Sequence, residues 1–386
     1  MVRSRTSAAK QGIRELAMSD TYRRNRAIKD ALMQLFPTRP TGHTERHVNT
    51  LAALICGIVG SGHTQTPKIA DHAPGGAAQR ESLIKRFRRW CANEAITLDA
   101  YFLPVAEAVL ANLAQRPLVL IMDGSTVGRG CSTLLLSVVY QGRALPLAWT
   151  VVHGAKGHFP TAAHLALLAQ VHALVPEDAT VTFLGDGEFD GTQLQATLSG
   201  YGWAYVCRTA QNMVLVSQGE LLHFGDLALG RGEALGLPNT QVTLEHYGPV
   251  LAIAWWDPDH AEPLYLVSNL ELVDEACYWY RQRFHIETFF SDQKSRGFQL
   301  HKSHLSDPKR LARLLIAACL AYLWIVYLGV LAKRDGWLPV IHRRDRCDLS
   351  LFQLGLSLLA HLLKEGLPLP VAFQLPGADV AGAARA

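Results

Sequence analysis

No two cysteines in this sequence form a C-x-x-C pair. The seven present (Cys56, Cys91, Cys131, Cys207, Cys277, Cys319 and Cys347) are scattered and odd in number. That excludes a zinc-ribbon or thioredoxin-type site and an evenly paired disulfide framework, and it suits a reducing cytosol. The N-terminus is basic but has no apolar stretch of the kind that follows the charged start of a secretory signal. Internal repeats and low-complexity tracts are also missing. Charged residues make up only 18% of the chain and the formal net charge is +4, so overall charge alone marks no anionic partner.

What is present is apolar mass and uneven charge. Hydrophobic residues make up 49% of 386, enough to bury a sizeable core and to exclude global disorder. Residues 1–30 hold eight Lys or Arg against three acids, and Arg80, Lys85, Arg86, Arg88 and Arg89 crowd one short segment. Clustering of this kind is the electrostatic footprint of a nucleic-acid binder, although a solvated helix face reads the same way. The run from Leu314 to Ala332 is uncharged over nineteen residues, long enough to cross a bilayer. Basic residues flank it on both sides, so a buried core helix is the expected reading and no membrane is expected as a partner.

Residues 1–112 read as a helical region with a basic tail. A long periodic helix ends near Gly60-Ser61-Gly62. A short helix over "TPKIADHA", a turn at Pro74–Gly76 and a basic helix over "AAQRESLIKRFRRWCAN" follow. Leu83, Ile84, Phe87 and Trp90 form the apolar side of that last helix, leaving Arg86 and Arg89 for DNA in a helix-turn-helix-like arrangement. After Pro117 the period changes. Residues 113–210 read strand, strand, strand, helix, strand, helix, strand, a mixed sheet with helices on it. Residues 211–272 read as a β-rich insertion, 273–370 as a return to helix, and 371–386 as a loose tail.

Two aspartates, Asp123 in "LVLIMDG" and Asp186 in "VTFLGDG", each end an apolar strand and precede a glycine. One such residue commonly caps a turn. Two on one sheet, with Glu287 on a later helix, suggest convergent carboxylates that need cations among them. Mg²⁺ suits oxygen ligands of this kind, and a pair of such ions, with Mn²⁺ as a substitute, supports in-line displacement at phosphorus. Around Glu287 the segment "YRQRFHIETFFSDQK" places Tyr280, Arg283, Glu287 and Lys294 at spacings of three, four and seven. On a continuous α-helix these fall in a stripe about 60° wide. Trp279, Ile286 and Phe290 would form a buried flank, with Arg281, His285, Thr288 and Asp292 on a wet back. The stripe would put Arg283 and Lys294 on phosphates either side of the cut, and the Tyr280 hydroxyl or ring on a phosphate or a base.

The elements "DGS" at 123–125, "GDGEFDG" at 185–191 and Y-x2-R-x3-E-x6-K at 280–294 resemble the catalytic motifs of bacterial DDE transposases. They are most similar to the insertion-sequence-four family, including its hairpin-forming members. "SRGFQLHKSHLSDPKRLARLL" also resembles that family's continuation, and the resemblance spans about residues 115–350. It implies an α/β, ribonuclease H-like core with a β-rich insertion between the second aspartate and the glutamate. Asp123, Asp186 and Glu287 would be catalytic and metal-binding, and Tyr280, Arg283 and Lys294 would contact DNA. It further implies metal-dependent cleavage of insertion-sequence ends and strand transfer into target DNA, with transposon-end and target duplexes as partners. A homodimer in the DNA synapse and a cytoplasmic, nucleoid-associated location belong to the same implication. In that family an aromatic residue of the insertion supports a flipped base. Trp256 or its neighbour Trp255 is the candidate here, at most one of the two because adjacent strand residues face opposite ways. A core tryptophan is the common alternative for either. Three rivals stand beside the transposase: a structure-selective nuclease of the same fold, a catalytically inactive, transposase-derived DNA-binding protein, and a membrane protein built around residues 314–332.

Overall fold

The computed structural model describes residues 20–75, 79–154, 159–217, 219–343 and 347–376. The first nineteen residues of the basic tail, Gly76 of the expected turn and most of the C-terminal tail lie outside the described residues. The chain divides into two compact units: residues 1–109, 127–131 and 290–376 in the first, and 110–126, 132–289 and 377–386 in the second.

The first unit is helical. Helix α1 covers 20–33, followed by α2 (Gly42–Ser61), α3 (Thr66–Asp71), α4 (Arg80–Ala92) and the short α5 (Leu98–Tyr101). Leu83, Ile84, Phe87 and Trp90 of α4 are buried, as the periodicity predicts, while Lys85, Arg86, Arg88 and Arg89 are exposed. Not every cation of the basic clusters faces outward. Arg24 is buried and donates to the carbonyls of Cys56 (3.2 Å) and His72 (3.4 Å), and Arg80 pairs with Asp71.

The long apolar run folds as α11 (Pro308–Arg334), capped by Asp307 accepting from the Arg310 N–H at 2.8 Å. It meets the length and composition test for a membrane span, yet 94% of its most apolar window is buried inside the protein. Its main neighbour is α13 (Leu351–Lys364), opened by a Ser350/Gln353 capping box. Gly329 and Gly355 let the two backbones touch: a Cβ on Gly355 would run into the Ile325 carbonyl, and one on Gly329 into that of Leu351. Side-chain-free positions are what such a close crossing requires.

The second unit carries the sheet. Strands β1 (Leu118–Gly128), β2 (Cys131–Tyr140) and β3 (Arg143–His153) are followed by α7 (Thr161–His172), β4 (Val181–Gly185), α8 (Thr192–Gly200) and β5 (Ala204–Thr209). This is the order read from the sequence. The β2–β3 hairpin turns on Gln141 and Gly142, both at positive φ (46° and 74°), the geometry of a two-residue type I′ turn. Strands β6 (Val214–Ser217), β7 (Glu220–His223), β8 (Ala234–Val242), β9 (Tyr247–Trp255) and β10 (Leu264–Ser268) come from the β-rich stretch. They extend the same sheet, in the order β3-β2-β1-β4-β5-β10-β9-β8-β6-β7. β1, β4 and β5 run parallel, and β10 returns antiparallel to β5. Continuous burial of Leu118–Met122 and of all of β4 marks the interior of a parallel sheet covered on both faces. The mixed α/β sheet with flanking helices and a helical N-terminal region is the fold class expected from the sequence.

Candidate active site

The register of β1 on β4 sets the site. Met122 pairs with Gly185, so Asp123 and Asp186 are the next residues along two adjacent parallel strands. Neighbouring strands lie about 4.8 Å apart, which brings the two carboxylates to one sheet edge without help from a loop. Asp123 is 3% exposed, whereas Asp186 is half-buried and accepts the Glu188 N–H at 3.0 Å. Glu188 in turn accepts the Phe159 N–H (3.1 Å) and lies 3.6 Å from buried His164, whose pKa burial lowers. Asp190 completes the acidic edge. Burial raises its pKa while the Thr209 hydroxyl donates to it at 2.8 Å.

Glu287 reaches this edge from a helix that is not the one expected. The 280–294 segment is α9 (Val273–Arg281), a 3₁₀ turn (Gln282–Phe284) and α10 (His285–Gln293), and Lys294 falls in the turn after α10. Three residues in 3₁₀ geometry advance by 120° rather than 100°, so Glu287 is rotated roughly 60° from its place on a regular wheel. The single exposed stripe is thereby broken. Tyr280 is 1% exposed and Arg283 is buried, while the Glu287 side chain is open to solvent. Asp292, expected on a wet face, is buried because the interruption shifts that face too.

Arg283 is the hinge of the arrangement. Its Nη1 lies 4.0 Å from Asp123 Oδ2 and its Nη2 lies 3.8 Å from Glu287 Oε1, so one guanidinium spans carboxylates from β1 and α10. The cation also lies over the rings of Phe284 (4.4 Å) and Tyr280 (5.9 Å). Burial pushes the Tyr280 phenol up to about 12, against the opposing pull of Arg283 and Arg208, so it remains a protonated donor at neutral pH. With the ring closed to solvent, its part in this conformation is to support Arg283. Lys294 belongs to the first unit. Its ammonium sits 5.7 Å above the Phe290 ring, and its backbone N–H donates to the Phe290 carbonyl at 3.0 Å.

Three oxygen donors on this edge, Asp123, Asp186 and Glu287, form the ligand chemistry that a hard divalent cation takes. Among the described residues no three metal-ligating side chains are gathered into a ready coordination cluster, and Arg283 stands between Asp123 and Glu287. The donor set fits; the spacing is that of carboxylates balanced by a guanidinium.

A family model for the transposase DDE domain matches residues 92–324. The chain belongs to that family. The matched span of this DDE transposase domain includes Asp123, Asp186 and Glu287. Among solved structures, the piggyBac transposase synaptic complex with hairpin DNA matches at 12% identity. It covers 90% of this chain and 79% of its own, with a TM-score of 0.43. Human ENDOV matches at 12% identity, covering 57% of this chain and 95% of its own, with a TM-score of 0.23. Both scores are too low for a shared fold to follow from them. No curated protein matches significantly.

The remaining candidates of the DDE transposase lie apart from this edge in the chain. Trp255 is 4% exposed at the end of β9, with Arg281 over its ring at 4.9 Å. Trp256 is half-buried, its indole N–H donating to the His260 carbonyl at 3.2 Å, so both rings have packing roles here. Arg86 and Arg89 are exposed on α4. Sequence reading missed Arg208, an exposed cation on β5 close enough to Tyr280 to influence its ionisation. The signal was available, since Arg208 is the single charge in the apolar strand "AYVCRT". Glu188 was also missed, although it stands in the "GDGEFDG" motif.

Proposed function

We propose that this protein is a DNA transposase of the insertion-sequence-four type. It would cleave insertion-sequence ends in a metal-dependent reaction and transfer the freed strands into target DNA by cut and paste, through a hairpin. The observation that carries the reading is the side-by-side placement of Asp123 and Asp186, with Glu287 linked to Asp123 through Arg283. Membership of the DDE transposase family and the full Y-R-E-K spacing support it.

In this reading Asp123, Asp186 and Glu287 would hold two Mg²⁺ ions, with Mn²⁺ as a substitute, and such ions would supply an activated water and charge stabilisation for displacement at phosphorus. The chain's own groups do the rest. Asp123, fixed in a buried strand, and Asp186, held by the Glu188 N–H, keep the carboxylate pair rigid, which favours a pre-organised site. Arg283 presents a planar fork suited to two phosphate oxygens, and Lys294 a point charge for a second phosphate. Water would attack the phosphodiester at the element's end, leaving a 3′-hydroxyl on the element and a 5′-phosphate on the flank. That hydroxyl would attack the opposite-strand phosphodiester, closing the hairpin as the flanking strand's 3′-oxygen leaves. Water would reopen the hairpin, and the regenerated 3′-hydroxyl would attack a target phosphodiester and displace a target 3′-oxygen. Arg86 and Arg89 hold transposon-end duplex, Trp256 or Trp255 supports a displaced base, and two copies pair the ends in a synapse. Such an enzyme works in the cytoplasm, on the nucleoid.

One observation favours a second reading, a catalytically inactive DNA-binding descendant: Arg283 stands where cations would collect. Strand cleavage decides between them. With DNA carrying the element's ends and Mg²⁺, the transposase gives hairpin product that disappears in Glu287→Ala. Nicking that persists in Glu287→Ala removes Glu287 from the site. End binding without cleavage by the wild-type protein establishes the inactive descendant.

A further inference from the structure

His164 sits on α7, 4% exposed, and its Nε2 is buried with no hydrogen-bond partner among the described residues. A buried imidazole nitrogen left unpaired costs free energy, so native proteins seldom keep one without a reason. Glu188 Oε1 lies 3.6 Å away, a few tenths of an ångström beyond a hydrogen bond. Facing a carboxylate oxygen, the nitrogen is favoured as a donor, because its bare lone pair would be repelled there. The neutral ring suffices for that. Burial opposes a charge on His164, while Glu188 and then Asp186 pull the other way.

These two side chains meet at the root of the second aspartate. β4 ends at Gly185, where a Cβ would run into Phe189, so the chain can fold back over the strand end. The turn that follows is closed twice at Asp186. Its carbonyl accepts the Phe189 N–H at 2.9 Å, and its Oδ1 accepts the Glu188 N–H at 3.0 Å. Phe189 is fully buried, its ring 4.8 Å from the His164 ring. Beyond it, the Asp190 carboxyl accepts from the Thr209 hydroxyl at 2.8 Å, and the Asp190 carbonyl from the Gln195 amide at 3.0 Å. Glu188 is the joint between these ties. Its Oε1 takes the Phe159 N–H at 3.1 Å and has a second lone pair to offer His164. The Glu188 N–H orients the Asp186 carboxylate, and the Glu188 side chain holds that N–H in place.

We propose that His164 is the positioning residue for Asp186. Its Nε2–H closes onto Glu188 Oε1, and the Glu188 backbone so held keeps the Asp186 carboxylate aimed along the sheet edge. His164 acts through Glu188 and is not itself a catalytic residue. A merely space-filling side chain against Phe189 would need no donor, and an apolar one of the same size would serve equally well. The consequence for cation binding rests on the reading of Asp186 given above. The donor and its coupling to Glu188 do not.

The test compares His164→Leu, which fills the space without a donor, with His164→Gln, whose amide nitrogen reaches the position of Nε2. Mg²⁺ is titrated into the full chain and the melting temperature followed. His164→Leu should need about tenfold more Mg²⁺ than the wild type for half of the shift, and His164→Gln should stay within about twofold. Half-saturating Mg²⁺ for strand cleavage should move by the same factors, while affinity for end DNA without divalent ions should not move. In a Glu188→Ala background His164→Leu should cost nothing further, because the effect passes through Glu188. Nitrogen NMR spectra of the histidine-labelled, metal-free wild type should show His164 as a neutral ring protonated at Nε2, assigned by the signal lost in His164→Gln. A proton on Nδ1 instead, equal Mg²⁺ requirements for His164→Leu and wild type, a His164→Gln protein as impaired as His164→Leu, or a full His164→Leu effect in Glu188→Ala would each overturn the assignment. A wild type that gives no response to Mg²⁺ would remove Asp186 as a cation ligand, and the position of the His164 proton would then decide the proposal by itself.

Discussion

Arginine does opposite things in two regions of this molecule. At the sheet edge Arg283 is enclosed by carboxylates, spanning Asp123 and Glu287 at 4.0 and 3.8 Å. Between α2 and α4, Arg46, Arg86 and Arg89 surround a cavity with no carboxylate partner among the described residues. The first setting is acidic, with a guanidinium in the place that cations would otherwise occupy. The second is basic, its guanidinium groups exposed on two helix faces. One kind of side chain therefore balances acids in one place and stands without them in the other, and the acids around it set the local charge. Arg281 gives a third case. It is bound to Asp257 at 2.8 and 3.0 Å and laid over Trp255, a cation whose own acid balances it.

The contrast can be broken by removing charge from each setting in turn. Asp186→Asn should cut strand cleavage by at least about 100-fold, the loss expected when a group stabilising transition-state charge is removed. End binding in gel shift should be unchanged or slightly tighter, because an acid has gone. A smaller effect is expected from Arg283→Lys. Lysine keeps the charge but cannot span two carboxylates or grip a phosphate in two places, so cleavage should fall about 10-fold with the fold intact by circular dichroism. In the basic setting, Arg86→Ala should reduce the slope of log K against log salt for transposon-end duplex by about 0.9, one phosphate contact, and leave the cleavage rate at saturating DNA alone. A slope change from Asp186→Asn, or a rate change from Arg86→Ala, would erase the distinction between the two regions.

Arg281 and Asp257 sharpen the comparison with the smallest effect. Backbone donation from Asp259, and then Arg281, hold the Asp257 carboxyl below its usual pKa. A carboxyl depressed in the folded state stabilises fully above its unfolded value of about 4, and that contribution is lost as pH falls through the lower folded value. Asp257→Asn should lower stability by about 1 kcal/mol at neutral pH, with the difference from wild type shrinking in the acid limb of a denaturation series. Cleavage should be unaffected.

The parts legible in the sequence were those with a local cause. Apolar runs ending at Asp123 and Asp186 announced strands, and the register Met122 to Gly185 then placed the two acids together. The α3-to-α4 arrangement and the buried side of α4 followed from periodicity. The 3₁₀ turn at Gln282–Phe284 did not, because its residues are ordinary helix formers and nothing local interrupts the wheel. The interruption instead accompanies burial of Tyr280 and Arg283 beside the sheet, a tertiary effect that overrides propensity. The α2–α4 cavity was equally invisible, since Arg46 and Asn49 stand forty residues from Arg86 and only packing joins them. Arg23 and Arg24 show the converse: a basic run in the sequence can be bound to backbone carbonyls in the fold.

The most direct test of the central proposal, that Asp123, Asp186 and Glu287 bind a divalent cation in the place where Arg283 now balances two of them, is the thermal stability of the full chain as Mg²⁺ is titrated. The wild-type protein should gain melting temperature with Mg²⁺ as the ion binds the folded state, while folded Asp123→Asn should gain none. Equal stabilisation of both proteins, or none in the wild type, would contradict it.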